Sequence, residues 1–240
     1  MAHRPALAAL ASLAGLAGCT APAASDPFEA SGELIAFSGG AAGASGACIT
    51  CHGTAGGGDG NLAPQLAGLG SGYIARQIEH FASGARRHPQ MEWIAGRLSH
   101  EARERVAGYY ASLTPASPER DRQAQDAVDC EAAQIYHTGI PERGIPSCAS
   151  CHGAGGAGDA GNPPLYIQPS PYLAHQLDAW ASGERYGDPD GAMTRISRAL
   201  SLRDRQAVAG YAARLQGDRG GRELPAACLR THRPDRPGGA

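Results

Sequence analysis

The stretch CITCHG, residues 48–53, places two cysteines three positions apart and follows the second directly with a histidine. The pattern returns as CASCHG at residues 148–153. A Cys-x-x-Cys pair alone is compatible with a disulfide, and two such pairs with a zinc site. The adjacent histidine instead indicates covalent haem attachment, in which the thiols bond to the haem vinyl groups and the histidine binds iron. We therefore predict two haem c groups, attached through Cys48, Cys51 and His52 and through Cys148, Cys151 and His152.

The likeness between the two halves extends beyond this motif. YIARQIEHFASGAR from Tyr73 aligns with YLAHQLDAWASGER from Tyr172, and the segments that begin at Met91 and Met193 also align. The offset drifts by a few residues only, which is typical of a duplicated unit. The predicted organisation is two domains, 28–114 and 127–216, with a linker at 115–126 and a C-terminal tail at 217–240.

Apolar residues recur at helical spacing in both units, and no convincing alternating strand pattern occurs. Ser99 and Ser201 suit helix N-caps, while Gly84 and Gly183 mark helix ends. The fold class is therefore predicted to be all-α. The predicted helices are 28–37, 73–83 and 99–113 in the first unit, and 127–137, 172–182 and 201–215 in the second.

Composition supports a bound cofactor and argues against nucleic acid. Aromatic residues make up 5% of the 240 residues, and 34 glycines and 17 prolines leave little side-chain area to bury. Units of this size bury a limited core on their own, and haem would enlarge it. The net charge is −2, without a long run of like charges, so we expect no nucleic-acid partner.

The sixth iron ligand decides between electron transfer and chemistry at an open iron. Apart from the initiator, the only methionines are Met91 and Met193, which lie 39 and 41 residues after His52 and His152. Core packing is the usual role of methionine. Since these two coincide under the repeat, we predict that they are axial ligands.

Four of the other histidines in the two units are weaker candidates for iron ligation. None has a histidine at the corresponding position of the other unit, and the residue nearest to His88 in register is Asp190. We expect these histidines to be surface residues without a ligand role: His80, His88, His100 and His175.

Other paired residues suggest how the haem is supported. A backbone carbonyl near Pro64, and near Pro163 or Pro164, is a candidate acceptor for the second ring nitrogen of the proximal histidine. The pairs Tyr73/Tyr172 and Arg86/Arg185 are candidates to contact haem propionates. The alternative is a packing tyrosine and a solvated arginine at a helix end.

Residues 1–19 begin with a basic segment and continue with an uncharged run rich in alanine and leucine, as in secretion signals. This run ends in LAGC, which matches the bacterial lipobox and predicts lipidation of Cys19. Residues 20–27 would then be a flexible tether. We expect a periplasmic protein anchored to a membrane, the alternative being an ordinary signal peptide that is removed together with Cys19.

Taken together, the two haem motifs, the YxxxQ helices and the methionine segments resemble the two-domain dihaem cytochromes of the cytochrome c4 type. The likeness covers roughly residues 28–215. It implies two tandem class I cytochrome c folds, related by a pseudo-twofold axis, with haems close enough for rapid electron exchange. The lipobox, the C-terminal tail and the pair Cys130 and Cys228 depart from the family pattern.

Cys130 and Cys228 remain once haem and lipid have taken the other five cysteines, and the periplasm is oxidising. In class I cytochromes the first and last helices cross, so the resemblance implies that these two cysteines are close. We predict a disulfide. Two free thiols, or one thiol bound to iron, are the alternatives.

The predicted function is single-electron transfer between a respiratory donor and a terminal acceptor, without catalysis and without a small-molecule substrate. Two alternatives remain. One is an enzyme, either a dihaem peroxidase or a thiosulfate-oxidising enzyme, although the equivalence of the two units argues against it. The other is a dedicated cytochrome subunit of a dehydrogenase complex.

Overall fold

A computed structural model describes residues 27–115, 128–159, 161–218 and 224–229 of the chain. Within these ranges the secondary structure is helical, and the only β-type pairings are two isolated bridges. The all-α prediction is therefore confirmed for the described part of the chain. The signal segment, Cys19, the tether as far as residue 26 and most of the predicted linker lie outside the described residues.

The helices of the first unit follow the repeat. A 3-10 turn at Pro27–Glu29 precedes them, and two further 3-10 turns, Gly40–Ala42 and Ala44–Gly46, lead into the first cysteine motif. The helices are α1 Gly32–Ser38, α2 Ile49–His52, α3 Ser71–Ser83, α4 Pro89–Ala95 and α5 His100–Ser112.

The second unit repeats this order. Its 3-10 turns are Pro141–Arg143 and Pro189–Gly191. The helices are α6 Cys130–His137, α7 Ala149–His152, α8 Ser170–Ser182, α9 Ala192–Ala199 and α10 Leu202–Ala212, and the tail adds α11 Ala226–Leu229.

The predicted start of each first helix was wrong. In α1 the Ser31 hydroxyl accepts a hydrogen bond from the Leu34 amide at 3.1 Å, and in α6 the Asp129 carboxylate accepts from the Ala132 amide at 3.1 Å. Each of these side chains satisfies an amide that has no partner within the helix, which fixes the start there. The preceding residues 27–29 therefore form a separate turn.

The caps predicted for α5 and α10 are confirmed. Ser99 accepts from the Ala102 amide and Ser201 from the Asp204 amide, both at 3.1 Å. The Asp204 carboxylate in turn accepts from the Ser201 amide at 2.9 Å, which completes a capping box. Both helices end earlier than predicted, at Ser112 and Ala212.

The middle helices α3 and α8 end at glycines, as predicted. Gly84 and Gly183 have φ angles of 77° and 87°, in the left-handed region that disfavours a side chain. Both helices begin two residues earlier than predicted, at Ser71 and Ser170.

In each unit the first helix packs against the last, α1 against α5 and α6 against α10. The approach of α1 to α5 is close, because a Cβ atom on Gly32 would lie 2.0 Å from the carbonyl oxygen of Arg105. The middle helix α3 or α8 packs on the same last helix and also on the methionine helix, α4 or α9. Each unit therefore builds its core around its last helix.

Each unit buries one tyrosine in its core, but the tyrosine comes from the last helix in the first unit and from the first helix in the second. Tyr110 of α5 shares the first core with Ala36 of α1, and Tyr136 of α6 shares the second core with Ala212 of α10. All four residues are nearly inaccessible to solvent. The Tyr136 hydroxyl donates to the Gly153 carbonyl at 2.7 Å, while the Tyr110 hydroxyl has no hydrogen-bond partner among the described residues.

The predicted disulfide between Cys130 and Cys228 is confirmed, with the two Cα atoms 5.2 Å apart. Cys130 is the first residue of α6, and Cys228 lies within α11, where it is buried. The bond therefore fixes the described part of the tail against the first helix of the second unit.

The two units meet through a short backbone bridge and reciprocal side-chain contacts. The Arg87 amide donates to the Glu184 carbonyl at 2.7 Å, and the Tyr186 amide donates to the Ala85 carbonyl at 2.9 Å. The side chain of Gln168 both accepts from the Gln65 amide, at 3.1 Å, and donates to the Gln65 carbonyl, at 2.8 Å. These bonds set the relative position of the two cysteine motifs.

No single helix in the described part of the chain has the length and apolar character needed to cross a bilayer. Two consecutive segments, 32–42 and 44–52, meet that test only jointly, with a bend of 119° between them.

Candidate cofactor sites

Each motif histidine is held by a backbone carbonyl, as the sequence predicts. Nδ1 of His52 lies 2.9 Å from the Pro64 carbonyl oxygen, and Nδ1 of His152 lies 3.0 Å from that of Pro163. A carbonyl only accepts, so Nδ1 carries the proton and Nε2 is left with a free lone pair. The structure also selects Pro163 rather than Pro164 as the counterpart of Pro64. This is the arrangement that orients histidines for metal binding.

Burial keeps both imidazoles neutral. His52 and His152 are each 8% exposed. Loss of solvation lowers the pKa of both rings, and the hydrogen bond to the proline carbonyl offsets this only in part. Metal binding needs the neutral ring. The electrostatic surroundings therefore suit Nε2 of each histidine to iron.

The motif cysteines are not paired with one another. Cys48, Cys51, Cys148 and Cys151 are free thiols, in contrast to Cys130 and Cys228. Burial raises the pKa of Cys48 and that of Cys148 to about 11, so these two are protonated in apolar surroundings. Four thiols that avoid disulfide formation beside two oriented histidines fit covalent haem attachment, and the attachment residues remain predictions.

The two methionines occupy the first turn of equivalent short helices, and different residues fix those turns. The Met91 amide donates to Nδ1 of His88 at 3.3 Å, and the Met193 amide donates to the Asp188 carboxylate at 2.6 Å. Asp188 also accepts from the Thr194 hydroxyl at 3.1 Å. Since both helices are short, these bonds contribute much of the local order around each methionine.

His88 is exposed, as predicted, but it has a structural role that the sequence analysis missed. The residue with the corresponding role in the second unit is Asp188 rather than Asp190, which is in a left-handed turn with a φ of 55°. Both His88 and Asp188 lie a few residues before the methionine, and both side-chain types are able to cap a helix. That shared capping ability was the signal available in the sequence.

The other three histidines differ in their surroundings. His100 is exposed and lies 3.4 Å from Glu104, and Nδ1 of His175 lies 3.0 Å from the Gln176 side-chain amide. His80 contacts the second unit, because a Cβ atom on Gly187 would lie 3.0 Å from its ring. His80 is therefore an interface residue rather than the surface residue that we predicted.

Arg86 and Arg185 are buried at the contact between the units, so the alternative of a solvated arginine was wrong. Arg86 donates to Tyr172 and Gln176 of the second unit, and Arg185 donates to Tyr73 and Gln77 of the first. Each guanidinium also donates to the glutamine of its own unit. The paired tyrosines, glutamines and arginines form one reciprocal network.

The network holds two positive charges close together. Within the described residues neither guanidinium forms an ion pair with a carboxylate. Burial and the neighbouring Arg86 lower the pKa of Arg185. Burial would raise the pKa of Tyr172, but the two guanidiniums outweigh it and lower that pKa. Buried charges normally have a counter-charge.

Each guanidinium uses three of its five N–H donors in the bonds described, so donors remain for an anion. Haem carries two propionate carboxylates, which fit this unbalanced charge.

Replacing Gln176 by leucine tests the network. The Gln176 side-chain oxygen accepts from Arg86 at 2.6 Å and from Arg185 at 2.8 Å, so its loss leaves two buried donors short of a partner. We expect the free energy of unfolding to fall by about 1–3 kcal/mol and the two units to unfold at separate temperatures. Calorimetry of the haem-loaded protein measures both. Arg87→Ala is the matched control, since the Arg87 side chain is exposed. If Gln176→Leu unfolds at the same temperature as the wild type and in the same number of transitions, the expectation is wrong.

Comparison with known proteins places the chain among c-type cytochromes. The family model for cytochrome c matches residues 131–213. A thiosulfate dehydrogenase electron acceptor of Stutzerimonas stutzeri is 40% identical over 186 residues, which cover 77% of this chain and 86% of that protein. Cytochrome c4 of Thiocapsa roseopersicina is 33% identical over 181 residues, 74% of this chain and 90% of that protein.

Two solved structures share the fold. Reduced cytochrome c4 from Pseudomonas stutzeri aligns with a TM-score of 0.64 at 28% identity, over 70% of this chain and 93% of that one. Thiosulfate dehydrogenase from Marichromatium purpuratum aligns with a TM-score of 0.66 at 41% identity, over 77% of this chain. This chain spans only 40% of the length of the Marichromatium protein. The chain belongs to the cytochrome c4 family, as an electron-transfer protein with two tandem class I cytochrome c domains and covalently bound haem c.

Proposed function

We propose that this cytochrome accepts electrons from a thiosulfate-oxidising dehydrogenase and carries them on two haem groups. The observation that carries the proposal is the 40% identity to a thiosulfate dehydrogenase electron acceptor over most of both chains. A second such protein, from Thiomonas intermedia, is 38% identical over 170 residues. Of the roles considered from the sequence, this corresponds to the dedicated cytochrome of a dehydrogenase rather than a general respiratory shuttle.

The residues of each unit divide the work of holding the cofactor. Cys48 and Cys51 attach the first haem and His52 with Met91 binds its iron; Cys148, Cys151, His152 and Met193 do the same in the second unit. When bound, haem iron supplies a one-electron couple, and a methionine thioether raises its potential. The carbonyls of Pro64 and Pro163 hold the histidine rings in the orientation that ligation requires.

The contact between the units suits electron exchange. The Arg86 and Arg185 network, the Gln65 and Gln168 bonds and the backbone bridge hold the two units in one arrangement. A fixed arrangement keeps the separation between the two sites constant. Basic and polar side chains at this contact, rather than apolar ones alone, also provide partners for propionates from both sites.

The proposed function is tested by reconstitution. Haem-loaded protein, mixed with a thiosulfate dehydrogenase and thiosulfate, should develop the absorption of a reduced c-type cytochrome, whereas omission of the dehydrogenase should leave it oxidised. Cys48→Ser with Cys51→Ser, and the matched pair Cys148→Ser with Cys151→Ser, should each retain one haem of two. If the dehydrogenase fails to reduce the wild type while a quinol-oxidising respiratory complex succeeds, the general shuttle is the correct role.

Export and lipidation of Cys19 complete the proposal. Acyl chains contribute about 0.8 kcal/mol per buried methylene group, so two or more of them hold a protein on a bilayer. We expect the wild type in the membrane fraction and Cys19→Ala in the soluble periplasmic fraction, with equal haem content. Mass spectrometry of the mature N-terminus checks this, and a soluble wild type with another N-terminus would exclude the anchor.

A further inference from the structure

The two units differ at the position two residues after the methionine. In the first unit this residue is Trp93, which is 39% exposed. Its ring lies over Gly46, since a Cβ atom there would be 3.4 Å from Cζ3 of the ring. Gly46 precedes Cys48 by two residues, so Trp93 connects the methionine helix α4 to the cysteine turn. The ring therefore lies at the surface where two walls of the proposed first haem site meet.

The second unit has Arg195 at this position, and the charge around the two sites differs accordingly. Residues 34–58 contain no Asp, Glu, Lys or Arg, while the corresponding stretch 134–158 contains Glu142 and Arg143. Helix α9 exposes Arg195 and Arg198. The stretch around the first cysteine motif is thus uncharged, whereas α9 adds two exposed arginines beside the second methionine.

One cation is part of the surface around Trp93. The Arg97 guanidinium lies 4.1 Å from the centre of the Trp93 ring, and its Nη1 donates to the Trp93 carbonyl at 2.9 Å. Among the described residues Arg97 has no carboxylate partner. We name the surface formed by Trp93 and Arg97, which lies above the buried Gly46, the Trp93 face. It pairs an exposed aromatic ring with an unneutralised guanidinium.

Tryptophan and arginine are the residues that most often dominate binding energy at protein interfaces, while charged residues are otherwise depleted at interface centres. Electron transfer also requires that the partner approach a cofactor closely. An exposed tryptophan lowers the solubility of a protein, so a partner that covers it would offset this effect. Gly46 has no side chain and therefore leaves room for the Trp93 ring beside the cysteine turn. Both features fit a docking surface at the first unit.

We propose that the Trp93 face is the surface on which the thiosulfate-oxidising dehydrogenase docks, so that electrons enter through the first unit. This inference rests on the proposed function. The dehydrogenase would then present an apolar recess that is complementary in shape to Trp93. A carboxylate at the border of this recess would pair with the charge of Arg97. In the Marichromatium thiosulfate dehydrogenase, a segment similar to 77% of this chain is part of the same polypeptide, consistent with close docking.

The test measures the second-order rate constant for reduction of haem-loaded protein by the dehydrogenase with thiosulfate. Trp93→Ala should lower this constant about tenfold or more. Tyr186→Ala is the matched control, an aromatic residue of the second unit that is 55% exposed, and its rate constant should equal that of the wild type. Reduction by ascorbate, which needs no docking surface, should be equally fast in all three. Hydroxyl-radical labelling of wild-type Trp93 should fall severalfold when the dehydrogenase binds.

The outcomes separate this inference from the proposed function. An unchanged rate constant in Trp93→Ala and unchanged labelling of Trp93 would overturn the docking surface and leave the function intact. So would a rate constant that falls in Arg195→Ala and decreases steeply with salt, because that result places docking on the exposed arginines of α9. If the dehydrogenase does not reduce the wild type at all while ascorbate does, the proposed function fails.

Discussion

Replacing Cys130 and Cys228 together by alanine is expected to lower the free energy of unfolding of the second unit by up to about 4–5 kcal/mol. The disulfide closes a loop with a sequence separation of 98, and the chain-entropy model assigns a stabilisation of this size to loops of about 100 residues. Alanine is preferable to serine because Cys228 is buried, where a hydroxyl would need a partner.

Thermal and denaturant unfolding of the haem-loaded protein measures this change. The first unit has no such bond and serves as the internal control, so amide hydrogen exchange should accelerate in the second unit and change much less in the first. Limited proteolysis should cut near α11 in the variant and spare it in the wild type. If the variant unfolds at the wild-type midpoint, the disulfide contributes nothing to the stability of the second unit.

Replacing Met91 by histidine is expected to lower the reduction potential of the first haem, on the order of 100 mV or more, and to leave the second nearly unchanged. A thioether stabilises the reduced iron more than an imidazole does. The reciprocal variant, Met193→His, should lower the second potential alone. Redox titration followed by visible spectroscopy measures both potentials in one sample.

His88→Ala and Asp188→Ala are the controls, because they alter the support of the methionine helices and leave both proposed methionine ligands in place. Each removes the hydrogen bond to a methionine amide and keeps the thioether, so the potential should move much less than in the histidine variants. Oxidised wild type should also show the weak near-infrared band of sulfur-to-iron ligation at a strength of two sites. A high-spin or bis-histidine wild type would exclude Met91 and Met193 as the ligands.

Much of the local structure was predictable because it depends on neighbouring residues. The helix period located the long helices, and the side chains of Ser99 and Ser201 fixed two starts. The carbonyl acceptors for the motif histidines followed from general metal-site chemistry, although only the structure could choose Pro163 over Pro164. Helices α4 and α9 were missed because seven and eight residues hold too few turns for a period.

The contact between the units was not predictable from either repeat alone. Arg86 and Arg185 occupy equivalent positions in the two repeats. The sequence of one unit does not reveal that each arginine donates to a tyrosine and a glutamine of the other unit. Such bonds depend on how two finished surfaces meet. The same applies to His80, whose contact with Gly187 exists only after docking.

Because the two buried tyrosines come from different helices, a helix of one unit is a poor replacement for the corresponding helix of the other. A hybrid unit with α1 and α10 would contain neither buried tyrosine, whereas a hybrid with α6 and α5 would have to bury both Tyr136 and Tyr110 in one core. Voids and overpacking both destabilise a core, by several kcal/mol in the case of an absent aromatic ring. We therefore expect that whole units can be exchanged between the two copies, whereas exchange of a single helix would destabilise the recipient unit.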